Sequence, residues 1–296
     1  MEFLRLLEGI RTPFLDTLIG LITNLGEETI VVIVFCVIFW CISKRVAYGI
    51  GVAFFFSGIT VQGMKICFRI DRPWIIDPSF QPVPSAIEQA TGYSFPSGHT
   101  QGAAALYGSL GAQIKQKLIK AGCFLLAILV AFSRLYLGVH TPLDVMASLL
   151  ITFLLILLTV KVLDFGIVNK TRELIILLVM ALFSVAVIII AVTLYSKGTI
   201  VQSYVTDCLK AAGAGVGFAA GMFIERVYID FPVKSKNLIM QILKFIIGLA
   251  GVLAIKEGLK LIIGTGLIVD MIRYFLMLIW VTVLFPLIIK YFLNKS

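Results

Sequence analysis

Long apolar runs separated by short polar segments determine what this chain can fold into. Such runs recur along its 296 residues, each close to the length that carries a helix across a bilayer. They cover residues 28–42, 46–64, 99–114, 121–137, 143–161, 173–195, 207–225, 238–255 and 267–290. Because backbone groups in hydrocarbon must satisfy their own hydrogen bonds, these runs predict transmembrane helices and therefore an all-α, polytopic helical bundle.

The composition excludes a soluble globular protein. Hydrophobic residues make up 60% of the chain and charged residues only 14%, which leaves too little polar surface for a water-soluble fold. The formal net charge of +9 is spread over short segments between the apolar runs. That pattern indicates membrane orientation rather than nucleic-acid binding, and no nucleic-acid partner is expected.

The same charges predict which side of the membrane each loop occupies. Most lysines and arginines fall in the segments 43–45, 115–120, 161–172, 226–236 and 290–296. If these segments share one side, that side is cytoplasmic. The loop 67–98 and the turn 134–142 then lie on the opposite side. We expect a multi-pass protein of the cell membrane whose polar site faces away from the cytoplasm.

Residues 2–24 differ from the apolar runs because charged residues are mixed with leucines and phenylalanines. This pattern favours a helix lying in the membrane interface. A partly inserted tenth helix is the alternative.

The chain contains two histidines, and both lie in short polar signatures at the ends of apolar runs. His99 ends the sequence PSGH, and His140 begins the sequence HTPLD. Imidazole is the side chain best suited to proton transfer and nucleophilic attack near neutral pH. Both histidines are therefore candidate catalytic residues.

Each signature also has a structural interpretation. Ser97 is a good helix N-cap, while free backbone N–H groups at a helix start can also hold an anion. Asp144 lies four residues after His140, so its carboxylate can orient the imidazole. Alternatively, Thr141 caps a helix that has Asp144 at its third position. The sequence alone leaves both interpretations of Asp144 open.

Cations complete a constellation suited to phosphoryl transfer. Lys65, Arg72 and Arg134 are expected on the same membrane face as the histidines, together with the N–H groups near Ser97 and Gly98. Such donors stabilise the charge that spreads over the phosphoryl oxygens in the transition state. His140 has the carboxylate partner and is the expected nucleophile, which leaves His99 to protonate the departing oxygen.

The pattern resembles the three-part signature of the type 2 phosphatidic acid phosphatase superfamily. It consists of Lys65 with Arg72-Pro73, then PSGH ending at His99, then Ser133-Arg134 with His140 and Asp144. The resemblance implies a metal-independent phosphatase with a phosphohistidine intermediate on His140, supported by Asp144 and with His99 as the acid. It also implies phosphate binding by Lys65, Arg72, Ser97, Gly98 and Arg134.

The family's usual six-helix core would extend to about residue 195. We therefore expect a phosphatase core over residues 1–195 and a transmembrane extension of about three helices over residues 196–296. In the extension, Gly213, Gly217 and Gly221 form a smooth stripe that favours close helix packing within the chain, or else in a homodimer.

Rival interpretations follow from the same residues. Two histidines and an aspartate can form a metal triad, but the neighbouring cations would repel a divalent ion, so neither a metal nor another cofactor is expected. A non-catalytic lipid-binding or transport protein is one alternative. A phosphotransferase that passes the phosphate to another lipid is a second.

The expected substrate is a phospholipid or polyprenyl phosphate, because the predicted site lies at the ends of membrane helices. Undecaprenyl diphosphate, phosphatidylglycerol phosphate and phosphatidate are all compatible with the sequence. The headgroup cannot be read from it.

Overall fold

The computed structural model describes residues 1–88, 90–161, 167–235 and 237–293. Within these ranges all regular secondary structure is helical, which confirms the all-α fold class. The first ten helices are α1 (Glu2–Gly9), α2 (Pro13–Asn24), α3 (Glu28–Val37), α4 (Lys44–Phe68), α5 (Pro73–Ile76), α6 (Pro84–Ile87), α7 (Gly98–Ala103), α8 (Ser109–Gln113), α9 (Lys117–Tyr136) and α10 (Pro142–Lys161).

The remaining helices are α11 (Lys170–Ser196), α12 (Gln202–Ile224), α13 (Leu238–Leu253), α14 (Leu259–Ile263), α15 (Leu267–Ile279) and α16 (Phe285–Ile288). Short π-helical segments continue several of these helices without a break. They are Ile38–Ile42, Ala104–Gly108, Glu225–Ile229, Ala254–Gly258, Trp280–Leu284 and Ile289–Leu293.

Every predicted span coincides with a helix, although not all of these helices are long enough to cross a bilayer. In the described part of the chain, 7 are sufficiently long and apolar: Lys44–Ile76, Lys117–Tyr136, Pro142–Val160, Lys170–Ser196, Gln202–Ile229, Leu238–Ile263 and Leu267–Tyr291. The helix built from α7 and α8 is too short to be among them. The division into six core helices and three additional ones therefore stays a prediction.

The N-terminal segment corrects the expectation of a single interfacial helix over residues 2–24. It forms two helices, because Thr12 caps a new start and Pro13 occupies the first position of α2. The Leu15 amide donates to Thr12 Oγ1 at 3.3 Å. Helices α2 and α3 together are apolar and long enough for one membrane span, which bends by 48° at the turn between them.

The chain is divided into two units, each with its own packed interior. Unit 1 comprises Met1–Val32 and Thr60–Val162. Its small apolar core includes Val83, Tyr136 and Val139, packed against Leu15 of α2. All of the predicted site residues belong to this unit.

Unit 2 comprises Ile33–Ile59 and Leu163–Ser296. Its glycine stripe packs within the chain, because a Cβ on Gly217 would lie 2.7 Å from the Phe275 carbonyl oxygen of α15. A Cβ on Gly213 would likewise collide with the Met271 carbonyl of the same helix. The expectation of intramolecular packing is therefore confirmed, and the stripe no longer argues for a homodimer.

Candidate active site

The site is built from loops and helix ends that converge in unit 1. Lys65 lies in the last turn of α4, and Arg134 lies in the last turn of α9. Arg72 and Ser97 are the N-cap residues of α5 and α7. His140 lies in the turn that immediately precedes α10.

Hydrogen bonds tie these segments to one another. The Ser97 amide donates to the Asp144 carbonyl oxygen at 3.2 Å, and the Ser148 hydroxyl of α10 donates to the Ser97 carbonyl at 2.8 Å. The Ser94 amide donates to the Ile70 carbonyl at 2.8 Å. The three predicted motifs, which are far apart in sequence, therefore form one structure.

Arg72 is held by the backbone of two loops and also contacts His140. Its Nε and Nη2 donate to the carbonyl oxygens of Gly92 and Thr91, at 3.1 and 2.7 Å. Its Nη1 lies 2.8 Å from the Val139 carbonyl oxygen and 3.0 Å from His140 Nε2. Only 4% of Arg72 is exposed, so its guanidinium is fixed against the imidazole.

This contact determines the tautomer of a neutral His140. A guanidinium can only donate, so Nε2 must accept and the imidazole proton resides on Nδ1. Nδ1 lies 3.5 Å from Asp144 Oδ2, and neither residue is more than 2% exposed. At that length Nδ1 has no hydrogen bond among the described residues, so the pair is an electrostatic contact rather than a formed bond. The Nε2 lone pair faces the cationic side of the site.

Asp144 serves both of the roles that the sequence left open. Its Oδ2 accepts the Thr141 amide at 2.7 Å, while its own amide lies 3.4 Å from Thr141 Oγ1, which completes a capping arrangement at the start of α10. The same oxygen accepts the Ser94 hydroxyl at 2.6 Å and faces His140. Helix capping therefore fixes the carboxylate beside the imidazole.

The PSGH segment combines a helix cap with open space. Ser97 Oγ accepts the Thr100 hydroxyl at 2.9 Å and the Thr100 amide at 3.4 Å, which confirms that it caps α7. Nothing lies within 4 Å of the position that a Cβ on Gly98 would occupy. His99 Nε2 is buried and has no hydrogen-bond partner in the described ranges. Of the two residues after the cap, Gly98 therefore has an unobstructed Cβ position, and His99 has an unused hydrogen-bonding nitrogen.

Arg134 is fully buried and only partly satisfied. Its Nη1 donates to Thr23 Oγ1 at 2.7 Å. Its Nε and Nη2 have no hydrogen-bond partner within the described chain. These two nitrogens form the edge of a guanidinium that binds two oxygens of a carboxylate or phosphate at once. The arrangement is suited to an oxyanion.

The surroundings of His140 keep its imidazole neutral. Burial first, and then the positive charges of Arg72, Arg134 and Lys65, hold the pKa of His140 well below its ordinary value of 6.5. The same three cations act on His99. At neutral pH the ring of His140 is therefore unprotonated, and in the absence of a ligand its Nε2 lone pair accepts a hydrogen bond from Arg72.

Two contributors were missed by the sequence analysis. Ser94 donates to the Asp144 carboxylate, and its position three residues before Ser97 carries no signal of that contact. Thr23 holds Arg134 from a segment that was interpreted as an interfacial helix. Within the described residues, His, Cys, Asp and Glu side chains form no group of three or more that could hold a metal; metal independence itself stays a prediction.

Comparison with known families places two matches on the chain. The PAP2 superfamily matches residues 46–167, the range that contains all of the predicted site residues. A second family, described as the transmembrane extension of PAP2 superfamily phosphatases, matches residues 209–295.

Curated relatives cover part of the chain. Phosphatidylglycerophosphatase B of Bacillus subtilis (strain 168) is 28% identical over 169 residues, which is 50% of this chain and 75% of that protein. The undecaprenyl-diphosphatase BcrC of the same organism is 31% identical over 103 residues, or 34% of this chain and 52% of that protein. An undecaprenyl-diphosphatase of Sulfolobus acidocaldarius is 25% identical and aligns over 58% of this chain and 82% of its own length.

A solved structure, titled "Crystal structure of Aquifex aeolicus LpxE", is also similar. It is 28% identical, covers 54% of this chain and 93% of its own, and superposes with a TM-score of 0.48.

Proposed function

We propose, from the premise that this chain belongs to the PAP2 superfamily and is a phosphatase of the membrane, that it removes phosphate from a lipid through a phosphohistidine on His140. The observation that carries this proposal is the setting of His140. Its Nε2 faces Arg72 and its Nδ1 faces Asp144. A neutral imidazole held in this way presents its lone pair toward the cations that would bind a phosphate.

In the first step Arg72 Nη1 transfers its hydrogen bond from His140 Nε2 to a phosphate oxygen. The freed Nε2 then bonds to phosphorus as the bond from phosphorus to the leaving oxygen breaks. His99 donates a proton to that oxygen, and the negative charge of the bound substrate favours the protonated form of His99 beforehand. The ring of His140 becomes cationic, and Asp144 stabilises that charge from the Nδ1 side.

The second step returns both histidines to their starting state. Water attacks phosphorus while His99, now neutral, accepts its proton, and the bond between phosphorus and Nε2 breaks. Inorganic phosphate leaves, and His140 is again a neutral imidazole. No metal or other cofactor is required in either step.

The phosphate-binding residues have distinct parts in this scheme. Arg134 offers the unpartnered edge of its guanidinium, and Arg72 is fixed beside the attacking nitrogen. Lys65 adds a positive charge that acts on both imidazoles. The Ser97 amide already donates to the Asp144 carbonyl, so we assign N–H donation at the start of α7 to Gly98, whose Cβ position is unobstructed.

A lipid substrate is supported by apolar side chains close to Arg72. In α5, which follows Arg72 directly, Ile75 is 56% and Ile76 is 55% exposed, and Phe68 at the end of α4 is 58% exposed. In a membrane such side chains contact acyl or prenyl chains. A headgroup can therefore meet the cations while its tail stays in hydrocarbon.

The names of the relatives support phosphatidylglycerol phosphate and undecaprenyl diphosphate as candidate substrates. Phosphatidate is the third candidate that we propose. The distribution of lysine and arginine supports a site on the extracytoplasmic face of the cell membrane. Substrates exposed on that face are the ones we propose.

Phosphate release by the purified, detergent-solubilised protein tests the proposal. The three candidate lipids are assayed with chelator present, beside His140→Ala and the matched control Ser196→Ala, whose hydroxyl is exposed and bonds only to its own helix. We expect chelator-resistant release that falls by at least about a thousandfold in His140→Ala and is unchanged in the control.

The phosphohistidine intermediate is tested directly by stopping the reaction during turnover of a substrate that carries labelled phosphate. The expected product is a protein-bound phosphate that is stable in base, labile in acid and absent from His140→Ala. Retained turnover in His140→Ala would contradict the mechanism. If label appears on an added lipid alcohol instead of in free phosphate, the enzyme is a phosphotransferase that uses the same intermediate.

A further inference from the structure

We propose that Thr23 is a positioning residue for Arg134, so that the N-terminal segment ahead of the matched family region forms part of the catalytic unit. The proposal rests on the proposed function, because it assigns Arg134 to phosphate. Thr23 lies in α2, whereas the PAP2 match begins at residue 46.

The contact between Thr23 and Arg134 is short and shielded from solvent. Thr23 Oγ1 accepts from Arg134 Nη1 at 2.7 Å, across 111 positions of sequence. Thr23 is 2% exposed and Arg134 is fully buried. A hydrogen bond to a buried charged group is stronger than one between neutral groups, since water does not compete for it.

The guanidinium nitrogens of Arg134 differ in their hydrogen-bond partners. Nη1 is bound by Thr23, whereas Nε and Nη2 have no protein partner in the described ranges. A hydrogen bond at one nitrogen restricts the orientations that the planar guanidinium can adopt. Thr23 thus holds one side of the guanidinium and leaves the opposite edge for an oxyanion.

Further contacts fix α2 against the catalytic elements. Arg11 Nε donates to the Tyr136 carbonyl oxygen at 3.0 Å, and the Tyr136 hydroxyl donates to Asp16 Oδ1 at 2.9 Å. At the other end of α2, the Tyr107 hydroxyl donates to the Leu25 carbonyl at 3.0 Å. The hydroxyl of Thr23 is therefore presented from a helix that is anchored at both ends.

Replacement of the hydroxyl alone tests this role. Thr23→Val keeps the shape and removes the acceptor, Thr23→Ser keeps the acceptor, and Thr17→Val changes an exposed threonine of the same helix whose hydroxyl bonds to the Pro13 carbonyl. For each protein, kcat, KM and the inhibition constant for orthovanadate are measured, together with the midpoint of thermal unfolding.

We expect Thr23→Val to lower kcat/KM by about tenfold to a hundredfold, because a phosphate-binding group is misplaced. The inhibition constant for orthovanadate should rise by a similar factor. Thr23→Ser should recover most of both, and Thr17→Val should match the wild-type protein. In an Arg134→Gln background, Thr23→Val should have no additional effect, since Thr23 acts through Arg134.

Several outcomes overturn the proposal. These are unchanged kcat/KM and orthovanadate affinity in Thr23→Val, equal losses in Thr23→Ser and Thr23→Val, or an additive loss in the Arg134→Gln background. If Thr23→Val does not fold, Thr23→Ala, which also removes the acceptor, takes its place with the same criteria.

Failure of the proposed function would be recognised separately. If the wild-type protein releases no phosphate from any lipid, the affinities of the wild-type protein, Thr23→Val and Thr23→Ser for inorganic phosphate are compared instead. Calorimetry measures these affinities. Weaker phosphate binding by Thr23→Val, with recovery in Thr23→Ser, would support the positioning role without turnover. Equal binding by all three proteins would overturn it.

Discussion

His140 is constrained from both sides of its ring. Arg72 faces Nε2, and Asp144 lies 3.5 Å from Nδ1. Because Asp144 also caps α10, the carboxylate is positioned by the helix start itself. The single negative charge of Asp144 therefore stands on the side of the ring away from the cations, where it supports a developing imidazolium.

A direct consequence is that His140 resists protonation. Since burial and three cations lower its pKa below 6.5, the imidazole should stay neutral as the pH falls through 6.5. Addition of orthovanadate should raise that pKa, because a bound anion favours the protonated ring. Histidine-selective NMR measures both effects, and the chain has only two imidazoles to observe.

The variant His99→Asn leaves a single imidazole signal and so assigns the resonance of His140. A His140 pKa at or above 6.5 in the absence of anion would contradict the electrostatic account. So would a pKa that orthovanadate leaves unchanged.

The candidate residues of the three motifs could be identified from the sequence because each motif is a short, local pattern of polar residues. Thr23 and Ser94 could not be predicted, since their partners lie 111 and 50 positions away. Neither hydroxyl differs in sequence from a threonine or serine that satisfies its own helix, as Thr17 does. Only the fold reveals which hydroxyls meet a charged partner.

At the level of secondary structure, the turn between α2 and α3 supports the PSGH segment. A Cβ on Gly26 would lie 2.8 Å from the His99 carbonyl oxygen and 2.6 Å from Val130 Cγ1 of α9. The absence of a side chain at this position lets the turn approach the backbone of His99, the proposed general acid. The turn and His99 are therefore mechanically coupled.

Gly26→Ala should consequently lower kcat about tenfold or more, because His99 or the turn must shift to admit the methyl group. Gly20→Ala in α2 is the matched control, since nothing lies within 4 Å of its Cβ position. That control should keep full activity and be slightly more stable, as alanine favours helix over glycine. Turnover and thermal unfolding of the two variants provide the measurements.

Wild-type turnover by Gly26→Ala would show that the contact does not constrain His99.

The positions of the long helices could be predicted from the apolar runs, because the backbone of each run must satisfy its own hydrogen bonds in hydrocarbon. The break at Pro13 and the 48° bend after α2 could not, since they depend on what the segment packs against.

At the level of the whole chain, unit 2 joins residues that are distant in sequence. Trp40 Nε1 donates to the Val281 carbonyl at 3.0 Å, and the ring of Phe35 packs against Phe218 with centroids 6.0 Å apart. Lys44 forms an ion pair of 2.9 Å with the buried Glu225. Residues after the predicted core therefore complete the packing of helices near its beginning.

A chain ended after Ser196 should for this reason fail to fold in detergent. The buried side chains of Phe35 and Trp40 would lose partners in the deleted part, and the apolar surface left uncovered would favour aggregation. Size-exclusion chromatography should show aggregated material. Expression of residues 1–196 together with residues 197–296 should restore a monodisperse, active complex.

Residues 1–196 that are monodisperse and active alone would instead support an independent core, as the boundary predicted at residue 195 implies. The sequence identified an extension but could not predict its contribution to unit 2. An apolar run indicates that a segment enters the membrane. It carries little information about which helices that segment contacts there.

The unpartnered edge of Arg134 links turnover to the lifetime of the protein. A buried cation with unsatisfied donors lowers the free energy of unfolding, and an anion that meets those donors recovers part of the loss. By mass action, phosphate at a hundred times its dissociation constant would add about 2.7 kcal/mol to that free energy. If Arg134 binds phosphate as proposed, the reaction product is therefore also a ligand that raises the free energy of unfolding.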